Sequence, residues 1–462
     1  MRRLLILVST AALAGCSLEP HYVRPAAAIP GTWPVGAAYA PATPATPAPV
    51  DYRDIFRDPR LQGLITRALA GNQDLQAALA NVEIARAQYS GQRAEQLPHV
   101  DATAGASESH EAARAGGGDR TTRSFDAEVG FNAFELDLFG RLRSLSHAAL
   151  QQYLASEAGA RAARLTLTQS VADAWLTLAA DRSLLTIAGE TEAASARTVA
   201  LTQARLSGGI APRTDLNQAQ TLLQQARSDQ AALTTQVAQD RNALELLVGG
   251  PVTEAELPSG IEGLGDALGE VPAGLDSHVL LARPDVAAAE HRLQAANAQI
   301  GAARAAFFPS LSLTGLAGVA SPALSALFGS GSSVWQGGAA AALPLFDGGA
   351  NKAGLSQAKG ERDLAVAQYQ GAIQTAFREV ADALARRGTI KAQLAAQIAL
   401  VAAAQQAFDL SQARYKEGID PYLATLDAQR TLYAAQRTLA TTRLAEAQNL
   451  AALYASIGSA PP

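Results

Sequence analysis

The chain has 462 residues, 48% of them hydrophobic and only 17% charged, with a formal net charge of −5. No basic stripe with interleaved aromatics is present, which argues against a nucleic-acid partner. Cys16 is the single cysteine, so no disulfide can form within one chain. No later stretch reaches the roughly 18 consecutive apolar residues of a transmembrane helix, so any membrane crossing must use a closed β-barrel.

The chain opens Met1-Arg2-Arg3, continues through an apolar run from Leu4 to Leu13, and reaches Ala14-Gly15-Cys16. A basic start, a short apolar core and small residues at the cut predict a signal peptide over 1–15. Leu13-Ala14-Gly15-Cys16 has the form of a bacterial lipobox, with Cys16 as the lipidated first residue of the mature protein. The plainer alternative for a lone cysteine is a buried small hydrophobe. An acyl anchor supplies about 0.8 kcal/mol per buried CH₂. Residues 16–55 are rich in Pro and Ala and read as an extended tether. Asp58-Pro59 then starts a short helix through Leu61, Leu64, Ile65 and Leu69.

Beyond this point the chain is written twice. Asn72-Gln73-Asp74 opens an Ala-rich stretch ending at Leu97-Pro98, and Arg283-Pro284-Asp285 opens another ending at Phe308-Pro309. Val171-Ala172-Asp173-Ala174 recurs as Val380-Ala381-Asp382-Ala383. Gln203-Ala204-Arg205 with Gly209-Ile210-Ala211-Pro212 recurs as Gln412-Ala413-Arg414 with Gly418-Ile419-Asp420-Pro421. The first repeat is assigned to 56–250, a Gly/Pro-rich connector to 251–277, and the second repeat to 278–460.

Each repeat predicts two strands, at about 97–112 and 121–138 in the first and about 308–320 and 333–346 in the second. Phe125, Ala127, Val129 and Phe131 alternate with Asp126, Glu128, Gly130 and Asn132, a period of two with one apolar and one polar face. Leu311 and Leu313 alternate with Ser310, Ser312 and Thr314. An ordinary soluble sheet gives the same alternation; the lipoprotein signal and the symmetric placement favour membrane strands. Four strands cannot close a conducting barrel, so closure requires several subunits.

Long helices follow the strands. Residues 141–206 and 351–417 contain no proline, and each stretch leads through a glycine turn into a second helix, Pro212 to Val248 and Pro421 to Ile457. Proline suits a first helical position; Asp420 is a good N-cap and Ala211 a poor one. Leu167, Val171, Ala174 and Leu178 form a coiled-coil seam at 4-3-4 spacing, as do Leu432, Ala435 and Leu439.

Phe134-Glu135-Leu136-Asp137-Leu138-Phe139-Gly140-Arg141 resembles the strand-to-helix signature of TolC-like outer membrane factors, in particular the lipoprotein branch of OprM and NodT type. Ala282-Arg283-Pro284-Asp285-Val286, Ala289-Glu290-His291-Arg292-Leu293 and Ile300 through Leu311 resemble the second-copy signature. Leu343 to Gly349 and Ile373 to Val380 are similar too, so the resemblance spans the mature chain. It implies a mainly α fold with membrane β-strands: a homotrimer with a 12-stranded barrel in the outer membrane, continued by a long α-helical barrel in the periplasm. It implies the exit duct of a tripartite efflux system, passing substrates from an inner-membrane pump of RND type through a periplasmic adaptor. The implied molecule is lipid-anchored, needs no cofactor beyond the lipid on Cys16, and is no enzyme.

The resemblance also places a periplasmic gate at Tyr415 to Arg430. Leu423 and Asp427 match an apolar ring and an acidic ring that would favour cations, with Asp420 and Tyr415 beside them. For Asp427 the alternative is a solvated helix-surface charge; for Asp420 it is the N-cap alone. Gly208, Gly209 and Gly418 mark the tips where an adaptor would approach, although a turn by itself also calls for glycine. His21, His99, His110, His147, His278 and His291 are scattered, and Gly116-Gly117-Gly118 lacks the Lys-Ser/Thr of a phosphate loop. A lipid-anchored coiled-coil scaffold and a periplasmic enzyme are the competing classes. The strand pairs and the duplication speak against the former, and the absence of a catalytic grouping against the latter.

Overall fold

A computed structural model describes residues 17–39, 51–112, 120–264, 269 and 277–457. The signal segment, Cys16 and Gly116-Gly117-Gly118 lie outside the described residues. Short helices α1 (Tyr52–Ile55) and α2 (Pro59–Gly71) precede α3 (Gln73–Ala94), then strands β1 (Asp101–Glu111) and β2 (Arg120–Leu136). Helices α4 (Arg141–Ser207) and α5 (Arg213–Val248) complete the first repeat. The second runs α6 (Pro284–Ala305), β3 (Ser310–Ser321), β4 (Ser333–Ala342), α7 (Ala350–Lys416) and α8 (Tyr422–Ile457). Corresponding helices have equal lengths: 22 residues in α3 and α6, 67 in α4 and α7, 36 in α5 and α8. No described helix is long and apolar enough to cross a membrane.

The chain divides into two compact units, and each draws on both repeats. One comprises residues 1–26, 81–157 and 288–370; the other comprises 27–80, 158–287 and 371–462. The sequence repeat is therefore a unit of pattern, not of packing.

The first unit carries an antiparallel sheet in the order β1-β2-β3-β4. Paired residues share a face, so Ala104, Ala127 and Val319 lie together, as do Ala102, Val129, Ala317 and Trp335. Glu128 pairs with Thr103 and Gly318 on the other face. A bulge interrupts β2 between Phe131 and Phe134, where Ala133 adopts φ +57° and its N–H donates to Thr314 Oγ1 at 3.2 Å. The extra residue resets the phase, so Phe134, opposite Leu313, returns to the apolar face. The outer edges of β1 and β4 have no partner strand within the sheet.

The second unit holds the larger core. Leu165, Leu167, Val171, Trp175, Leu176 and Leu178 of α4 pack on Leu61, Leu64 and Ile65 of α2 and on Ala447, Ala451 and Tyr454 of α8. Asp58 caps α2 by accepting from the Arg60 N–H, with Pro59 in the first turn. Val252, Leu257, Ile261 and Leu264 pin the described part of the connector to the same core, and Trp175 Nε1 donates to the Glu256 carbonyl at 3.1 Å.

The segment read as a tether is extended but not free. In the first unit, Arg304 Nη1 donates to the Leu18 carbonyl and Asn297 Nδ2 to the Pro20 carbonyl. In the second, Trp33 stacks on Phe377 at 5.1 Å. Side chains of α6, distant in sequence, supply the hydrogen bonds that a proline-rich strand cannot make for itself.

Candidate functional site

The two helical turns of the second unit repeat one backbone motif. After α4, Gly209 N donates to the Leu206 carbonyl and Ile210 N to the Arg205 carbonyl, both at 3.0 Å. After α7, Gly418 N donates to Tyr415 and Ile419 N to Arg414, at 3.0 and 2.9 Å. This is a Schellman closure, which needs a left-handed residue at its centre. Gly209 and Gly418 take that role with φ +72° and +73°. Gly208 is different. A Cβ there meets the Ala204 and Arg205 carbonyls at 3.5 and 3.6 Å, ordinary contacts, so the turn does not require this glycine. Ile210 and Ile419 stand 69% and 61% exposed at the tips.

Side chains then break the symmetry. Arg414 forks onto Asp420, with Nε to Oδ2 at 2.6 Å and Nη2 to Oδ1 at 2.9 Å. That pair holds the Asp420 carboxyl below its ordinary value. In the first turn the position of Asp420 is Ala211, so Arg205 lacks the equivalent fork. Arg205 Nη1 instead donates across to the Tyr415 carbonyl at 2.7 Å, and its guanidinium lies 4.7 Å from the Tyr415 ring. Arg205 thus gives the Tyr415 carbonyl, which already accepts from Gly418 N, a second donor at the end of α7. Its Nε is buried without an acceptor. Tyr415 is 3% exposed, 5.4 Å from Tyr422, and its hydroxyl is 3.3 Å from Thr202 Oγ1.

The four candidate gate residues do not form one surface. Leu423 and Asp427 lie one turn apart on the exposed face of α8, with Leu423 60% exposed. Tyr415 is on the inside, under Arg205 and Tyr422. Asp420 does not cap α8 as its sequence position suggested: the helix starts at Tyr422, and Arg414 occupies the carboxylate. Proline likewise sits one place before the helix, with Pro212 extended at the N-cap of α5 and no side-chain bond. The residues that sequence reasoning missed are Arg205 and Arg414. Their signal was present in the repeated Gln-Ala-Arg, but the identity of the two copies hid their different partners.

A family profile described as outer membrane efflux protein matches residues 64–250 and 275–459. A probable efflux pump outer membrane protein of Pseudomonas putida, TtgC, is 43% identical over 462 residues, spanning 99% of this chain and 95% of its own length. A membrane protein from Pseudomonas aeruginosa has a similar solved structure, with a TM-score of 0.89 and 39% identity over 96% of this chain and 100% of that one. The open state of the Neisseria gonorrhoeae MtrE outer membrane channel matches with a TM-score of 0.82 and 36% identity, over 96% and 98% of the two chains. Fold, repeat and these likenesses agree on an outer-membrane efflux channel whose long helices lie in the periplasm. The chain belongs to the outer membrane efflux protein family.

Proposed function

We propose that three copies of this chain, anchored by lipid on Cys16, form the exit duct of a tripartite efflux system, with the second helical turn as its periplasmic gate. The observation that carries this reading is the open sheet: four strands of 10 to 17 residues, with bare edges at β1 and β4. Strands of roughly 9–11 residues cross a bilayer, where each unpaired backbone group costs several kcal/mol. Edge pairing between copies removes that cost. Two copies would make about eight strands, whose interior side chains fill; three leave a lumen.

The gate reading rests on the asymmetry between the turns. Arg205 ties the first hairpin to the end of α7 but leaves its own Nε unsatisfied, a buried donor costing about 1–3 kcal/mol. The latch is therefore breakable. Leu423 and Asp427, exposed on α8, face the path it controls. The tips at Gly208, Gly209, Gly418, Ile210 and Ile419 meet a periplasmic adaptor, which links the duct to an RND-type inner-membrane pump. The duct is passive and requires no nucleophile or cofactor.

Conductance in planar bilayers tests the proposal. The wild-type protein should give small, cation-preferring steps. Arg205→Ala should raise the open-state conductance several-fold, and Asp427→Ala should reduce the cation preference. A protein that inserts but never conducts, in any of the three forms, would end this reading.

A further inference from the structure

In the sheet-bearing unit, residues 17–26 lie as a strap across α4 and α6. Its far end is a fixed clamp. Arg24 forks onto Glu290 of α6 at 2.7 and 2.9 Å, and the Tyr22 hydroxyl donates to the same carboxylate at 3.1 Å. Glu290 is 6% exposed. Burial and Glu290 push the Tyr22 hydroxyl up, and the Glu290 hydrogen bond pushes the Arg24 guanidinium up, so neither donor gives up its proton near neutral pH. Tyr369 of α7 is fully buried and adds its field to both groups. At the near end, the strap crosses α6 at Gly301, where a Cβ would stand 2.8 Å from the Glu19 Cα and 3.0 Å from its nitrogen. Only a bare α-carbon permits that crossing.

The near end is held differently. His147 Nδ1 of α4 lies 3.0 Å from both carboxylate oxygens of Glu19. His147 Nε2 lies 3.1 Å from Gln151 Nε2, and Gln151 Oε1 lies 2.7 Å from His291 Nδ1 of α6. Gln151 is 7% exposed, so its amide is largely shielded from solvent. An amide nitrogen can only donate. In this arrangement His147 Nε2 is therefore bare, and the ring is neutral with its proton toward Glu19. Adding a proton at Nε2 sets two donors face to face. The amide must then turn over, offering oxygen to His147 and NH₂ to His291, whose Nδ1 must in turn be bare. The two imidazoles cannot both hold a proton toward Gln151.

We propose that Glu19, His147, Gln151 and His291 form a proton-operated latch, which grips the anchor-proximal strap when His147 is charged and slackens it when His147 is neutral. The hydrogen bond to Glu19 raises His147 above the ordinary imidazole value. A raised folded value means that the grip is complete below about pH 6.5 and is lost as pH rises through the higher value. Neighbouring charges do not compete. Arg143, one turn earlier on α4, is taken by Asp137 at 3.2 Å, and Arg304 of α6 holds the Leu18 carbonyl at 3.1 Å. The latch thus acts on the residues directly following Cys16, while the Arg24 clamp keeps the rest of the strap seated.

Hydrogen–deuterium exchange on the full-length protein, corrected for intrinsic rates, tests this at pH 6 and pH 8.5. Residues 17–21 should lose protection by about tenfold for each pKa unit that Glu19 adds to His147, while residues 22–26 stay unchanged. His147→Gln should show the slack state at both pH values. Equal protection of 17–21 at both pH values in the wild type, or a pH response surviving in His147→Gln, overturns the proposal. A titration of the imidazole resonances serves as the second measurement. His147 should titrate lower in Glu19→Gln than in the wild type, and an unchanged titration also overturns the latch.

Discussion

At the scale of single residues, one pair of positions decides the fate of two arginines. Asp420 holds Arg414 inside its own turn, whereas Ala211 leaves Arg205 to cross to Tyr415. Ala211→Asp should therefore draw Arg205 back into the first turn and release the end of α7. The expected result is faster amide exchange at the end of α7 and higher conductance, and retention of the Arg205–Tyr415 contact in a structure of the variant would refute it. Asp181 on α4 makes a separate prediction. Burial and the neighbouring Asp240 carboxylate push it up to about 7. Its folded value exceeds the unfolded one, so the native state binds the extra proton and stability falls as pH rises from about 4 to 7. Asp181→Asn should flatten the thermal midpoint over that window; an unchanged slope would remove Asp181 as its cause. Sequence alone marked Asp420, but as a cap, because local spacing shows the helix start and not an arginine six residues back.

At the scale of elements, prolines explain where strand boundaries differ from the alternating pattern. The expected strands run from about 97 and to about 346, whereas β1 begins at Asp101 and β4 ends at Ala342. Pro98 and Pro344 lack the N–H that a ladder needs. The bulge at Asn132-Ala133 was also in the sequence, as a slip of the apolar phase from Phe131 to Phe134, but a slip reads as the end of a strand until its partner is known. Glycines mark where strands approach closely. A Cβ at Gly130 would lie 2.1 Å from the Gly315 oxygen, and one at Gly318 would lie 2.2 Å from the Ala127 oxygen. Gly318→Val should cost upwards of about 3 kcal/mol through backbone displacement. The measurable outcome is a lower yield of the protein in outer-membrane fractions, and a wild-type yield would show that the sheet can adjust.

At the scale of the whole molecule, the repeats are interleaved: each compact unit takes part of both. One repeat alone therefore holds less than half of each unit's chain and two of the four strands. A chain truncated after residue 250 should fail to give an ordered sheet, and a far-ultraviolet spectrum with native strand content would contradict that. The full chain, cross-linked in detergent, should run at three times the chain mass; a monomer would refute the closed barrel. Breaking the Glu290 clamp by Arg24→Ala leaves the buried carboxylate with only the Tyr22 hydroxyl, and because Arg24 itself is half exposed the cost should fall below the about 3–5 kcal/mol of a fully buried pair. Reduced thermal stability of the sheet-bearing unit would register it.

The amino-acid sequence by itself determined the duplication, the long helices and the alternating strands, because proline placement and apolar period are local properties that act over a few residues. It also marked both turns, since a left-handed position calls for glycine wherever it occurs. The tertiary structure alone decided which arginine latches, that the proline-rich segment is a strap, and that the units mix the repeats. Each of these depends on partners far apart in the chain, such as Arg205 with Tyr415 and Arg24 with Glu290. No local pattern encodes such a partner, because its free energy arises only when the folded chain excludes water from both groups.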